Sequence, residues 1–451
     1  MSKTFEFLLA SACLLGTECT VQPEPEDITR SHNVIAVLPM TGSFAGKGPE
    51  HLKAIQLGFD AIEKAGGVDK PIRVFVIDAA NNTALPAGEN CQPDSTNTLC
   101  RLERQIDELS VGSTRYIAAI FSSTTGAMKS VAPTALVEGI PFFEISSGSG
   151  LDEVTLTTAA NRTYSFALRP LCMPEPEVTA NLLASRGSTP GWENVQILRG
   201  NQAHDKMHAR ELRTSMTTLG QANRILGADV EVPNDGPFEP YIDAAIAAGA
   251  KVIYFHLTGD APNLKFMQAA ERQGFAGKLV TCGMARRKEL LNSTAGIAAY
   301  LSNNNNNTEG RLFFAMRGPV ESPSYGAFVQ DFKTFSGFDA DTFSPSGYDA
   351  AVLIGLGIAA AGTSENVALR QAIEASSVGG TKFRYGEVKD ALAAAKRGED
   401  IDLDGASGSL DLTLDPKGVL GYSAVGRYYF ETVVKSADFK YQALATPNDI
   451  R

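Results

Sequence analysis

Residues 33 to 78 read NVIAVLPMTGSFAGKGPEHLKAIQLGFDAIEKAGGVDKPIRVFVID. The run 33–38 is short and apolar, the pattern of a strand buried on both faces. Pro39 stops it, and the loop 41–48 supplies small residues with free backbone N–H groups. Pro49 and Glu50 suit the first turn of a helix, where a proline is tolerated and an acid is favoured. Leu52, Ile55, Phe59 and Ile62 then fall at helical spacing and form one apolar stripe. Gly66 and Gly67 end the helix, and 72–77 is the next strand. The stretch is a βαβ unit with a polar loop at the carboxyl end of its first strand, where open α/β sheets bind ligands.

The alternation continues outward from this unit. A helix is predicted over 98–109, a buried strand over 116–121, a helix over 127–138 and a strand over 139–145. Three successive strands therefore end in small, hydroxyl-rich loops at 41–48, 122–126 and 146–150. In a parallel sheet those loops share one edge and converge on one cleft. A second series follows, with strands over 195–198, 230–232, 251–255 and 278–281 and helices over 205–219, 238–248 and 261–273. A strand at 312–316, helices at 324–335 and 348–361, and strands at 409–414 and 425–430 complete the pattern. Helices and strands alternating throughout give an α/β chain with doubly wound sheets.

LPMTGSFAGKG, the AGGV turn, Ser122-Ser123-Thr124, APTALVEGIPFFEISSGSG, YSFALRP, PSGYDAAVLIGLGIAAAG and IDLDGASGSLDL follow one another in order. Together they resemble the type I periplasmic solute-binding proteins, the branched-chain amino-acid-binding group and its lipoprotein relatives. The resemblance covers most of 33–430. It implies two doubly wound lobes joined by a hinge of crossing strands. Lobe 1 is expected to hold 33–167 and 320–380, and lobe 2 to hold 168–319 and 381–440, after an export signal and tether in 1–32. The implied function is capture of a small polar or anionic molecule between the lobes for an ABC importer, with its inner-membrane permease as partner. No reaction and no cofactor are implied. A ligand-sensing domain for a membrane receptor is the alternative, and a metallohydrolase a distant one.

Bulk properties agree with an exported binding protein. At 451 residues the chain exceeds what one core usually serves, so two domains are expected. A formal charge of −11 without a clustered basic surface excludes a nucleic-acid partner. No apolar run after residue 30 approaches the ~20 residues that span a bilayer. At the N-terminus Lys3 precedes an apolar segment and two cysteines, the pattern of a bacterial export signal with lipid attachment. Cys13 follows the small residues Ala10-Ser11-Ala12, whereas Cys19 stands before a polar tether, and both are lipidation candidates. The expected location is the periplasm or cell envelope, with the membrane reached only through such an anchor. Cys91 and Cys100 bracket a short polar loop and are the natural disulfide in an oxidising compartment. Cys172 and Cys282 either pair or remain buried thiols.

The glycine-rich turn 42–48 is not a phosphate-binding P-loop, because its spacer is one residue short and Gly48 follows the lysine. It still offers N–H groups to an anion or carboxylate. Ser43, Phe44, Lys47, Ser123, Thr124, Gly148 and Ser149 are the ligand-binding candidates of the first lobe. The resemblance implies that such hydroxyl and main-chain groups hold a ligand's carboxylate and amino group. His204 and His208 stand at i and i+4 in a near miss of the zinc-protease pattern. Asp205 reaches less far than the usual glutamate, and no third ligand follows at the expected spacing, so no metal is expected. The resemblance implies a ligand contact at His204 and a helix-surface place for His208. Asp400, Asp402, Asp404, Gly405 and Asp411 match much of a calcium loop, but its last position holds Asp instead of Glu. In the relatives this segment is a turn between strands. Where the relatives place an acid for the ligand's ammonium, the loop 282–287 has none and carries Met284, Arg286 and Arg287. Asp260 is the one nearby acid. These features favour an anionic ligand over leucine, isoleucine or valine.

Overall fold

The computed structural model describes residues 28–450 except 43–44, 82–89, 146–161, 169–173, 286–289, 292–296, 305, 307, 318–322, 342, 415–421, 424–425, 436–437 and 445–447. The opening apolar run lies in β1 (His32–Leu38), buried at every position as a central parallel strand must be. α1 (Lys47–Lys64) returns across the sheet to β2 (Ile72–Asp78). α2 (Thr98–Glu108), β3 (Ile117–Ser122), α3 (Thr125–Val137), β4 (Phe142–Glu144) and β5 (Ser165–Ala167) follow. The parallel order is β2-β1-β3-β4-β5. The winding reverses between β1 and β3, which makes the loops beyond those two strands the natural ligand crevice.

The chain then builds a second sheet by the same plan. α4 (Pro174–Ser185), β6 (Val195–Arg199), α5 (Ala203–Thr218), β7 (Val230–Glu231), α6 (Glu239–Ala247) and β8 (Val252–His256) lead off. α7 (Asp260–Arg272), β9 (Lys278–Cys282), α8 (Ile297–Leu301) and β10 (Leu312–Arg317) continue it. The parallel order β7-β6-β8-β9-β10 repeats that of the first sheet, with its reversal between β6 and β8.

α9 (Pro323–Ser336), α10 (Ser344–Ala361) and α11 (Asn366–Ala375) return to the first lobe. β11 (Thr381–Arg384), α12 (Val388–Lys396), β12 (Ile401–Gly405) and β13 (Gly408–Ser409) add a small three-stranded sheet against them. β14 (Thr413–Leu414) and β15 (Tyr422–Ser423) extend the first sheet beyond β5. From β16 (Gly426–Lys435), antiparallel to β10, the chain is in the second sheet, with β17 (Phe439–Ala443) and β18 (Asn448–Ile450) on β16.

The expected assignment of 381–440 to lobe 2 is therefore corrected. Its first part, through β15, belongs to lobe 1. The cause is α10, which is buried at every position from Ser344 to Ile358 and must be covered on all sides. α1 covers one side, and α11 and α12 cover others, with Leu369, Ile373, Val388, Leu392, Ile401 and Leu403 in the same core. Asp349 of α10 is fully buried and accepts from Ala406 N at 2.7 Å, Ser407 N at 2.8 Å and Ser407 Oγ at 2.5 Å. Burial, ahead of these opposing hydrogen bonds, pushes its carboxyl up to about 6. A Cβ on Gly405 would stand 2.2 Å from Asp349 Oδ1, so glycine is required there. The D-x-D-x-D-G run is thus strand β12 and its turn. A strand keeps its backbone extended, at ~3.3 Å per residue, so Asp402 and Asp404 are spread along one face and cannot wrap an ion. Asp402 instead faces Lys382 at 3.1 Å.

Cys91 and Cys100 are joined by a disulfide, Cα–Cα 5.1 Å, that ties the segment before α2 to its first turn. Among the described residues no single helix is long and apolar enough to cross a membrane.

α1 and α10 run parallel in close contact through glycine. A Cβ on Gly58 would meet Tyr348 O at 2.5 Å, and one on Gly355 would meet Ile62 at the same distance. Gly58→Ala is expected to destabilise the protein by about 1–3 kcal/mol through overpacking. Urea unfolding of the variant beside the parent measures this.

Candidate functional site at the two sheet edges

In lobe 1 the loop after β1 is fixed from β2. Asp78 accepts from Met40 N at 3.0 Å, Thr41 N at 3.1 Å and Thr41 Oγ1 at 2.5 Å. β3 ends at Ser122, and Ser123 and Thr124 lead into α3. Thr124 Oγ1 caps that helix by accepting from Ala127 N at 3.2 Å. Ser122 and Ser123 are buried, and their hydroxyls have no hydrogen-bond partner among the described residues. Buried hydroxyls left unsatisfied at a sheet's reversal point are what a ligand site requires.

Lys47 sits elsewhere in the chemistry. Its Nζ lies 2.7 Å from Asp341 Oδ2 and 3.4 Å from Glu50 Oε2. Asp341 also accepts from the N–H groups of Phe343 and Ser344 at 2.8 Å each, and its own N–H donates to Glu50 Oε1 at 2.8 Å. The reading of Lys47 as a ligand contact is thereby corrected, because its charge joins the N-termini of α1 and α10. Ser43, Phe44, Gly148, Ser149, Arg286 and Arg287 lie outside the described residues. Asp260 opens α7 and Met284 lies in the turn 283–285, but neither side chain is among those described.

The lobe 2 edge is built from different chemistry. The capping box at Gln202 turns Asp205 inward, where it is fully buried. Asp205 Oδ1 lies 2.9 Å from His256 Nδ1 and accepts from Thr258 Oγ1 at 2.8 Å. Gly200 beneath it has no room for a Cβ, which would stand 2.2 Å from Asp205 Oδ2. His256 ends β8, and Cys282 Sγ at the end of β9 lies 3.2 Å from His256 Nε2. Burial works against a charge on His256, but Cys282 and Asp205 override it and push its pKa up to about 10.

His204, His208 and His256 meet ring to ring, with centroids 3.9 to 4.6 Å apart. His208 is fully buried, so its expected place on the helix surface is corrected. The i, i+4 spacing put both histidines on one face of α5, and that face turns toward β8 and not toward solvent. Sequence reasoning placed Ser122 in a loop at the cleft without singling it out, and it passed over His256 and Thr281. Thr281 is a further buried hydroxyl without a partner among the described residues. Each is a polar residue at or next to the carboxyl end of an apolar strand, which was the signal available.

Residues 113–395, more than half of the chain, match the family profile described as periplasmic binding protein. The chain belongs to the periplasmic binding protein family. An extracytoplasmic location goes with that family. This binding protein is similar in fold to a leucine-binding protein of Thermotoga maritima, at TM-score 0.62 and 18% identity over 91% of this chain and 97% of that one. A Rhodopseudomonas palustris solute-binding protein in complex with benzoate gives TM-score 0.64 and 14% identity over 93% and 98%. One from strain BisB5 with 3,4-dihydroxybenzoic acid gives 0.63 and 19% over 93% and 98%. No curated protein matches the binding protein.

The Asp341 junction sets an acid limit on lobe 1. Burial alone would raise its pKa, but His51 at 3.5 Å and Lys47 hold it well below the usual carboxylate range. A depressed carboxylate contributes stability that is present above its unfolded pKa, about 3.9, and is lost as pH falls through the folded value. Urea midpoints of the parent are expected to drop between about pH 5 and 3. Asp341→Asn should be less stable at the higher pH and show a smaller drop.

Proposed function

We propose that this binding protein captures a small carboxylate-bearing solute between its two sheet edges and delivers it to the inner-membrane permease of an ATP-driven importer. The observation that carries the reading is the pair of buried, unpartnered hydroxyls of Ser122 and Ser123 at the reversal point of the first sheet. They stand where α3 begins, and the N–H groups of a helix start favour an anionic oxygen. The structurally similar proteins named above support it, since leucine, benzoate and 3,4-dihydroxybenzoic acid all bear a carboxylate.

Affinity then comes from hydrogen bonds enclosed as the lobes close, and no bond of the solute is broken. Ser43, Phe44, Thr124, Gly148 and Ser149 are the further contacts proposed from lobe 1, and His204, Asp260 and Met284 those proposed from lobe 2. Cys13 or Cys19 is the proposed attachment point of a lipid anchor that holds the protein at the membrane.

Calorimetry with benzoate, 4-hydroxybenzoate, leucine and benzamide tests the reading. Carboxylates should bind and the uncharged amide should not. Ser123→Ala should weaken the best carboxylate about tenfold, or about 1.4 kcal/mol, while leaving the unliganded melting temperature nearly unchanged. Equal binding of benzoate and benzamide, or unaltered affinity in the variant, would overturn it.

A further inference from the structure

Three of the chain's five histidines come together at the reversal point of the second sheet. One ring nitrogen from each of His204, His208 and His256 lies within 4.8 Å of those of the other two. The i, i+4 pair alone lacked a third ligand at a recognisable spacing in the chain. The fold supplies it from the end of β8, about fifty residues on.

The surroundings of these rings are those of metal ligands. His256 Nδ1 is held by Asp205 at 2.9 Å, and His208 Nδ1 lies 3.1 Å from Tyr254 Oη. In both rings a partner holds Nδ1, which is how proteins orient histidines around an ion. Cys282 Sγ is 3.2 Å from His256 Nε2. Two donors on one tetrahedral zinc, with bonds of about 2.1 and 2.3 Å, stand about 3.5 Å apart, so this spacing is close to that of neighbouring ligands. The cluster is almost wholly enclosed, with His204 the most exposed ring at 8%. The buried carboxylates of Asp205 and Glu175, the latter 3.8 Å from His208 Nε2, would balance a divalent charge.

We infer that lobe 2 carries a site for one transition-metal ion of the zinc class, ligated by His204, His208 and His256 with the Cys282 thiolate as fourth donor. Nitrogen and sulfur donors select zinc, cobalt or copper(I) and disfavour magnesium and calcium. Four protein donors fill a tetrahedral ion and leave no open position for a hydrolytic water, so the site is structural. It clamps the start of α5 to the ends of β8 and β9, the part of lobe 2 that meets the solute. The inference does not depend on the nature of that solute.

The test uses the tag-free full chain, stripped with a chelator and titrated with cobalt(II). One equivalent should produce the intense visible bands of tetrahedral cobalt together with near-ultraviolet thiolate charge transfer. Zinc should displace it and raise the melting temperature where magnesium does not. His208→Gln and the less buried His204→Gln should lose stoichiometric binding. Cys282→Ser should keep the visible bands and lose the charge transfer. A folded parent protein that takes up neither cobalt nor zinc at one equivalent would overturn the inference. So would undiminished uptake in His204→Gln.

Discussion

Lobe 1 depends on the parallel contact between α1 and α10, two helices nearly 300 residues apart in the chain. Gly58, Gly347 and Gly355 remove the side chains that would hold the axes apart. At the near end, Lys47 and Glu50 of α1 meet Asp341 and Ser344 at the start of α10, with Ser344 Oγ donating to Glu50 Oε1 at 2.9 Å. Apolar close packing sets the distance and the polar junction sets the register, because a shift of one turn would bury those charges unpaired. The first sheet is covered on this face only once that contact exists.

The two sheets repeat one winding but furnish their reversal points differently. Lobe 1 presents hydroxyls and a helix start, suited to a carboxylate oxygen. Lobe 2 presents imidazoles, a thiol and a buried acid. The fold brings both sets to equivalent edges, so the topology locates the chemistry without determining it.

Much of this was legible in the residues. The opening unit at 33–78 has an unambiguous period, and β1, α1 and β2 lie where it places them. The same holds for Ser123 and Thr124, which follow directly on an apolar strand. The segment 381–423 was misassigned because its elements are short and amphipathic, and nothing local says which lobe they cover. That is decided by α10, whose uniformly apolar surface demands cover on every side. The Asp349 contact with Ala406 and Ser407 joins two motifs that the sequence displays as unrelated. His256 escaped notice for the same reason, since a single polar residue at the end of VIYFH has no partner within reach along the chain. Lys47 misled in the opposite sense. A lysine in a glycine-rich loop invites a ligand, but Asp341, 294 residues on, claims it.

The chain passes between the lobes three times, after Ala167, after Arg317 and after Ser423. The parallel strands of lobe 2 come from one uninterrupted stretch, whereas lobe 1 is assembled from pieces drawn from both sides of it. During synthesis β1 is therefore made early but waits for α10 before that face is covered. The inserted lobe has its parallel strands complete before α9 to α12 of the enclosing lobe are made. Closing such distant segments is slow, and the waiting strands expose apolar surface meanwhile. The completed cover of the first sheet thus waits on residues made only after the whole inserted stretch.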